Sequence, residues 1–373
     1  MKKVTNLGHG SPPPFLATRT RAPYVKAASL AGFTDLVAAA GGDATDLASL
    51  VGIPEDALTD PDMVISWNAL GDLMELAADM FGKPSLGLEW VMSEPAPLLS
   101  FGPIALLTRF SSTIGEWCRL SISYSKVHTN ALRVHLEESE CGQLMVLRLV
   151  FHEVVPPSRH QTDYILGGIC TLARTLTAVS DDSFHIVRFQ SLQPDDISLY
   201  AKVFPCPVEF GCAHDELVYR REVDDLAIDQ QTGPLTELFA QYLRSRLGGN
   251  TDCATSIRAA AEVAIKNLVG TGFSTLPHVA ALLSISPKTL QRRLANEETT
   301  FAGLLDQCRE KLARRYLQDS DIPVTSVAGM LGYTKAPHFT SAFRRWTGVS
   351  PRAFRNALRP DGEPLRQVSP ARS

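Results

Sequence analysis

Between Ser286 and Leu294 the chain sets Lys288, Thr289, Gln291, Arg292 and Arg293 around two leucines, Leu290 and Leu294. On a helix, leucines four residues apart share an inward face, and the polar side chains between them point out. The chemistry that such a set can do is recognition. Arg grips O6 and N7 of guanine and Gln grips N6 and N7 of adenine, each through paired hydrogen bonds at the major-groove edge. Ser286 is placed to cap this helix, and Pro287 stands in its first turn, where the missing N–H does no harm. Upstream, Leu276, Val279, Ala280 and Leu283 make a short amphipathic helix, and Ser284-Ile285 makes a tight break. A short helix, a tight turn and a donor-rich helix together fit the major groove.

The pattern recurs about fifty residues later. Val324, Val327, Ala328 and Leu331 form a short helix, Gly332-Tyr333 a turn, and Ala336 to Trp346 a second exposed helix. Phe339 and Phe343 anchor it and leave His338, Thr340, Ser341, Arg344 and Arg345 outside. A long helix from Phe301 to Leu317 separates the two units. Roughly seventeen residues span about 25 Å, a length suited to placing two readers in major grooves about 34 Å apart on one face of DNA. The second helix opens Ala336-Pro337 and offers only His338, Thr340 and Ser341 as base readers. The first unit is therefore expected to supply most of the specificity, and the second to hold phosphates through Arg344 and Arg345.

Charge agrees with this placement. The formal net charge of the 373 residues is -4, but Lys and Arg outnumber Asp and Glu by 17 to 10 from Asn250 to Ser373, and are outnumbered 19 to 30 in the rest. A basic end on an acidic body suits a DNA reader joined to a domain with another task. The 7 cysteines are scattered and form no CxxC pair, so neither a disulfide framework nor a zinc knuckle is indicated. No signal-peptide core and no run of about twenty apolar residues is present, which predicts a cytoplasmic protein without membrane contact.

The elements that carry these residues follow from periodicity. Residues 1 to 22, rich in Gly, Pro, Thr and Arg, read as a flexible lead-in. From Pro23 to Trp90 the spacing predicts helices, with Val25, Leu30, Phe33, Leu36 and Val37 on one stripe and Trp67, Leu70, Leu73, Met74, Leu76 and Ala77 on another. A further helix is expected from Ser112 to His128. The period then changes to two, with Leu132, Val134 and Leu136 alternating with polar residues, a turn at Ser139 to Gly142 and a return strand from Gln143 to His152. A helix from Gln161 to Val179, a strand from Phe184 to Phe189, a helix from Pro194 to Val203 and short strands near Val208 and Leu217 complete an α+β body. From Gly233 onward only helices are expected. Leu235, Leu238, Phe239, Tyr242 and Leu243 form a stripe that packs on its own domain or seams a dimer, ending at Gly248-Gly249.

The segment Ser286 to Leu294, with Val327-Ala328-Gly329-Met330-Leu331-Gly332-Tyr333 and Phe339 to Arg355, resembles the AraC/XylS family of bacterial transcription regulators, including the ending Gly348-Val349-Ser350-Pro351 followed by Phe354-Arg355. Lys83-Pro84-Ser85-Leu86-Gly87-Leu88 and Phe204 to Gly211 resemble the arabinose-binding-type effector domain of the branch that includes ornithine-utilisation and virulence regulators. The resemblance implies inducer sensing and dimerisation by the first half, promoter DNA as partner of the second, and contact with RNA polymerase. Ser341 stands where relatives often carry Arg, which leaves His338, Thr340 and Ser341 as the base readers of the second unit.

These readings divide the chain into a lead-in at 1–22, an effector-binding and dimerisation domain at 23–249, an all-α tandem helix-turn-helix domain at 250–359, and a flexible tail at 360–373. In the body, Arg148 could hold a ligand carboxylate through paired hydrogen bonds or pair across strands with Glu137 or its neighbour. Trp67, Trp117 and Tyr124 could line an effector pocket or sit in the core. Cys206, Cys212 and His214 lie close together but lack a fourth ligand, so no metal and no cofactor is expected. Nucleophile elbows, phosphate loops and dinucleotide fingerprints are missing, so an enzyme is not expected. The expected function is a sequence-specific regulator, an activator in the usual mode, controlled by a small organic effector. The alternative is a DNA binder that needs no effector and whose body only dimerises.

Overall fold

The computed structural model describes residues 23–93, 100–156, 158–177, 179–228, 256–283, 285–318 and 322–357. The lead-in, the stripe from Leu235 to Leu243, the Gly248-Gly249 stop and the tail lie outside these residues.

At the start of the body, short-range periodicity yields to long-range pairing. Tyr24–Lys26 is not helical but a strand, β1, set antiparallel to β2 at Val64–Ser66, with Val25 opposite Ile65. The Lys26 N–H also donates to the His128 carbonyl at 2.9 Å, and the Tyr24 N–H to Asn130 Oδ1 at 2.6 Å. Partners this distant in sequence leave no periodic trace in three residues. Helices α1 (Phe33–Ala39), α2 (Ala44–Leu50), α3 (Trp67–Phe81) and α4 (Leu86–Met92) follow and bury Trp67, Leu70, Leu73, Met74 and Ala77 of the expected stripe, with Leu76 half-buried. Trp90 seals this layer between Phe33 and Tyr164, at ring distances of 5.2 and 4.8 Å, and donates its indole N–H to the Ala31 carbonyl.

A 3-10 segment at Gly102–Phe110 leads into α5 (Ile114–Tyr124). The hairpin is present as β3 (Leu132–Glu138) and β4 (Leu144–Phe151), after which come α6 (Arg159–Leu176), β5 (Phe184–Arg188), α7 (Tyr200–Val203), β6 (Val208–Glu209) and β7 (Asp215–Arg220). The five strands lie in the order β3-β4-β7-β5-β6, antiparallel except for the β5–β6 pair. Met145, Leu147 and Leu149 face the core while their neighbours face outward, as a two-residue period requires. Helix α6 packs against α3, α4 and β7. The helix expected from Pro194 to Val203 is confined to the single turn Tyr200–Val203, and Ile197 ahead of it is exposed.

The last third is helical: α8 (Ile257–Leu268), α9 (Leu276–Leu282), α10 (Pro287–Asn296), α11 (Phe301–Gln318), α12 (Val324–Met330), α13 (Ala336–Thr347) and α14 (Pro351–Ala357). Helix α11 is the axle, in contact with α8, α12, α13 and α14. The molecule thus joins a mixed α/β domain to an all-α one.

Candidate nucleic-acid interface and effector cavity

In the first helix-turn-helix unit, α9 and α10, the turn is closed by the Ile285 N–H donating to the Ala280 carbonyl at 3.0 Å. Ser286 caps α10 by accepting from the Thr289 N–H at 3.1 Å, and its hydroxyl also lies 2.8 Å from the Thr289 hydroxyl. Thr289 is therefore half-buried and engaged by the cap. Leu290 and Leu294 are fully buried, while Lys288, Gln291, Arg292 and Arg293 stand exposed. None of these three cations forms an ion pair with another described residue. The far end of α10 is pinned by Glu297, whose carboxylate accepts from the Ser256 hydroxyl at 2.8 Å and from the N–H groups of Ile257 and Arg258 at 3.0 and 3.1 Å. Those bonds, the Ser256 one foremost, hold its carboxyl below the usual glutamate range.

The second unit, α12 and α13, repeats the turn with the Tyr333 N–H donating to the Ala328 carbonyl at 2.9 Å. Its break, from Leu331 to Lys335, is one residue longer than that from Leu283 to Ser286, and Gly332 takes a φ of 80° within it. Phe339 and Phe343 occupy the buried positions of Leu290 and Leu294. On that match His338 corresponds to Thr289, Thr340 to Gln291, and Ser341 to Arg292. His338 and Ser341 are exposed and Thr340 is half-buried. Arg344 and Arg345 fall in the last turn, and Arg345 reaches back to Asp306 on α11 at 2.7 Å. That pair is exposed to solvent and therefore weak.

In the body, Trp67 and Trp117 line a cavity of about 140 Å³, together with Trp90, Phe101, Tyr164 and the buried His128. The other two residues considered for ligand binding lie elsewhere. Arg148 sits on the outer sheet face, its Nε 2.6 Å from Glu216 Oε1 and its Nη2 3.1 Å from Glu137 Oε1. Both carboxylates are on neighbouring strands, so the guanidinium is spent on cross-strand pairing. Tyr124 is buried edge-on against Phe273, at 6.0 Å. Sequence reasoning missed His128, Ser29 and Ser121, which come from three separate elements and share no spacing.

Tyr124 marks a contact between the two halves. Phe110 stacks on Phe273 at 5.0 Å with the rings 4° from parallel, and meets His278 of α9 edge-on at 4.9 Å. Gly272, at φ 75°, lets the backbone pass the Tyr124 hydroxyl, which a Cβ would meet at 2.7 Å. The Tyr24 hydroxyl lies 3.6 Å from the Met330 sulfur of α12. Lys26 stands 5.9 Å over the Tyr316 ring, and Arg315 is ion-paired with Asp60. The body thus touches the first helix of each helix-turn-helix unit.

Comparison with known proteins adds two matches to family models. Residues 41–227 match the arabinose-binding domain of AraC transcription regulator, N-terminal, and residues 279–357 match a helix-turn-helix domain. The chain is 25% identical over 342 residues to the HTH-type transcriptional regulator VirS of Mycobacterium tuberculosis, covering 89% of this chain and 96% of that one. It is 26% identical over 329 residues to the ornithine utilization regulator of Pseudomonas aeruginosa, covering 87% and 94%. Against the HTH-type transcriptional regulator VqsM of the same species the identity is 39% over 86 residues, 23% of this chain and 26% of that one.

Proposed function

The chain belongs to the AraC family of transcription regulators, and on that footing we propose that its DNA occupancy is set by a small organic molecule held in the body. It is a DNA-binding transcriptional regulator with an arabinose-binding-type N-terminal domain. In the proposed mechanism α10 reads bases through Lys288, Gln291, Arg292 and Arg293, with Thr289 as a minor contributor. Helix α13 adds His338, Thr340 and Ser341 at its open end and grips the backbone with Arg344 and Arg345. Residues 23–249 sense the effector and pair with a second copy, and residues 250–359 dock on a promoter beside RNA polymerase, in the cytoplasm, with activation as the outcome.

The observation that carries effector control is that cavity and domain contact share the same elements. Phe101 and Ile104 line the cavity while Phe110, at the end of their segment, stacks on Phe273. Trp117, Ser121 and Ile122 line it while Tyr124 of the same helix meets Phe273 and Gly272. Occupancy that shifts these elements changes the seats of α9 and α12, which is a coupling between two sites.

The test is affinity for the protein's own upstream intergenic DNA, in excess random DNA, with and without a small molecule that raises its melting temperature. A coupling of about five- to 150-fold is the usual range. A shift of that order, lost in Phe273→Leu, supports the proposal. A ligand that stabilises the protein yet leaves both DNA affinity and transcription unchanged contradicts it.

A further inference from the structure

Among the described residues the cavity has no charged wall: none of those that line it is Asp, Glu, Lys or Arg. His128, 7% exposed, is held neutral: burial first, and then the field of Lys26, pushes its pKa down to about 3. Lys26 is committed elsewhere, 3.9 Å from Asp62 and over the Tyr316 ring. An ion entering this space would lose its water and find no counter-charge.

Yet the wall is not satisfied. The indole nitrogens of Trp67 and Trp117, each residue 4% exposed, have no hydrogen-bond partner among the described residues. The same holds for Ser121 Oγ and for His128 Nδ1, whose other ring nitrogen lies 3.0 Å from the Ser29 hydroxyl. Trp90, the third indole at the cavity, is by contrast bonded to the Ala31 carbonyl. An indole N–H only donates, and buried polar groups in native folds are nearly always paired. Two orphaned donors on one apolar cavity therefore call for acceptors brought in from outside. At about 140 Å³ the space is close in size to an engineered apolar cavity of about 150 Å³ that takes up benzene.

We infer that this cavity binds an uncharged, largely apolar molecule bearing hydrogen-bond acceptors, a single ring or short acyl chain with an ester, ketone or lactone oxygen, and not a sugar or an amino acid. A pentose carries a hydroxyl on most carbons, and the lining of Leu70, Met74, Ile104, Ile165 and Ile169 would leave most of them unpaired. A free amino acid brings two charges that nothing here neutralises. The inference rests on reading the cavity as the effector site and adds the chemical class of the effector.

The experiment is titration of the full chain with methyl benzoate, toluene, benzoate, L-arabinose and L-ornithine, read by tryptophan fluorescence and melting temperature. Methyl benzoate is expected to bind saturably and to raise the melting temperature, while benzoate, arabinose and ornithine do neither at tenfold higher concentration. Trp67→Phe and Trp117→Phe are each expected to weaken methyl benzoate roughly three- to tenfold and to leave toluene, which has no acceptor, unchanged. Ser121→Ala serves as a third variant that does not disturb the aromatic wall. Tighter binding of benzoate, arabinose or ornithine than of methyl benzoate, weakened by Trp117→Phe, overturns the chemical class and leaves the effector site standing. Methyl benzoate binding indifferent to all three variants, or no binding by any of the five probes, overturns the site itself.

Discussion

The two helix-turn-helix units share a scaffold and differ in what they present. Leu290 and Leu294 in one, and Phe339 and Phe343 in the other, bury the same face, and both turns close with the same backbone hydrogen bond. On the outer face, Arg292 of the first unit is matched by Ser341 of the second, and Lys288 by Pro337. The second unit's arginines are moved to the last turn, where the helix dipole favours them and where Asp306 engages Arg345. On the proposed reading, one scaffold carries a reader and a clamp. The buried pattern sets how a helix sits, and its exposed N-terminal half sets whether it can discriminate between bases.

The strongest way to break the comparison is to remove an anchor. Phe343→Ala and Leu290→Ala create cavities at fully buried sites, with expected losses of about 3–5 and 2–5 kcal/mol. Denaturant unfolding should show both, and on the proposed reading, in which both units hold DNA, either should abolish stable DNA binding. If the second unit tolerated Phe343→Ala with DNA binding intact, it would be neither reader nor clamp.

Arg292→Ala comes next, with an expected cost of about 1–3 kcal/mol in binding and relaxed selection at one base position. Lysine should not rescue it, because the paired hydrogen bonds need the planar fork. Ser341→Arg sharpens the same point by giving the second unit the residue it lacks, and should add a guanine preference at one new position, read by binding-site selection.

Ser286→Ala removes a cap that accepts from the Thr289 N–H and should cost about 1 kcal/mol of stability. Lys335, at the same place in the second unit, makes no side-chain cap bond, so Lys335→Ala should leave the melting temperature unchanged. The smallest effect on DNA binding is expected from Arg345→Ala. It should weaken all DNA sequences alike and lower the slope of log affinity against log salt by about one.

Much of this was legible in the chain before folding. Leucines and phenylalanines four apart, Ser286-Pro287 and the alternation from Leu132 are local signals, and α10, α13 and the β3–β4 hairpin follow from them. Strands β1 and β2 were not legible, because three residues are too few to show a period and their partners lie some forty to a hundred residues away. The cavity was legible only as aromatic residues, since Trp67, Trp117 and His128 meet through tertiary packing. Arg148 carried the right chemistry for a ligand carboxylate, but the register that sets Glu216 beside it cannot be read from periodicity. The contact of Phe110 with Phe273 and His278 joins residues with no shared pattern at all.

The most direct measurement of the central claim is a paired one: the affinity of Arg292→Ala and of Arg345→Ala for the selected upstream site and for random DNA, over several salt concentrations. The account predicts that Arg292→Ala narrows the ratio of specific to random affinity, and that Arg345→Ala lowers both affinities together and leaves the ratio intact. A ratio that collapses in Arg345→Ala and survives in Arg292→Ala would make the second unit the reader and contradict the division of labour.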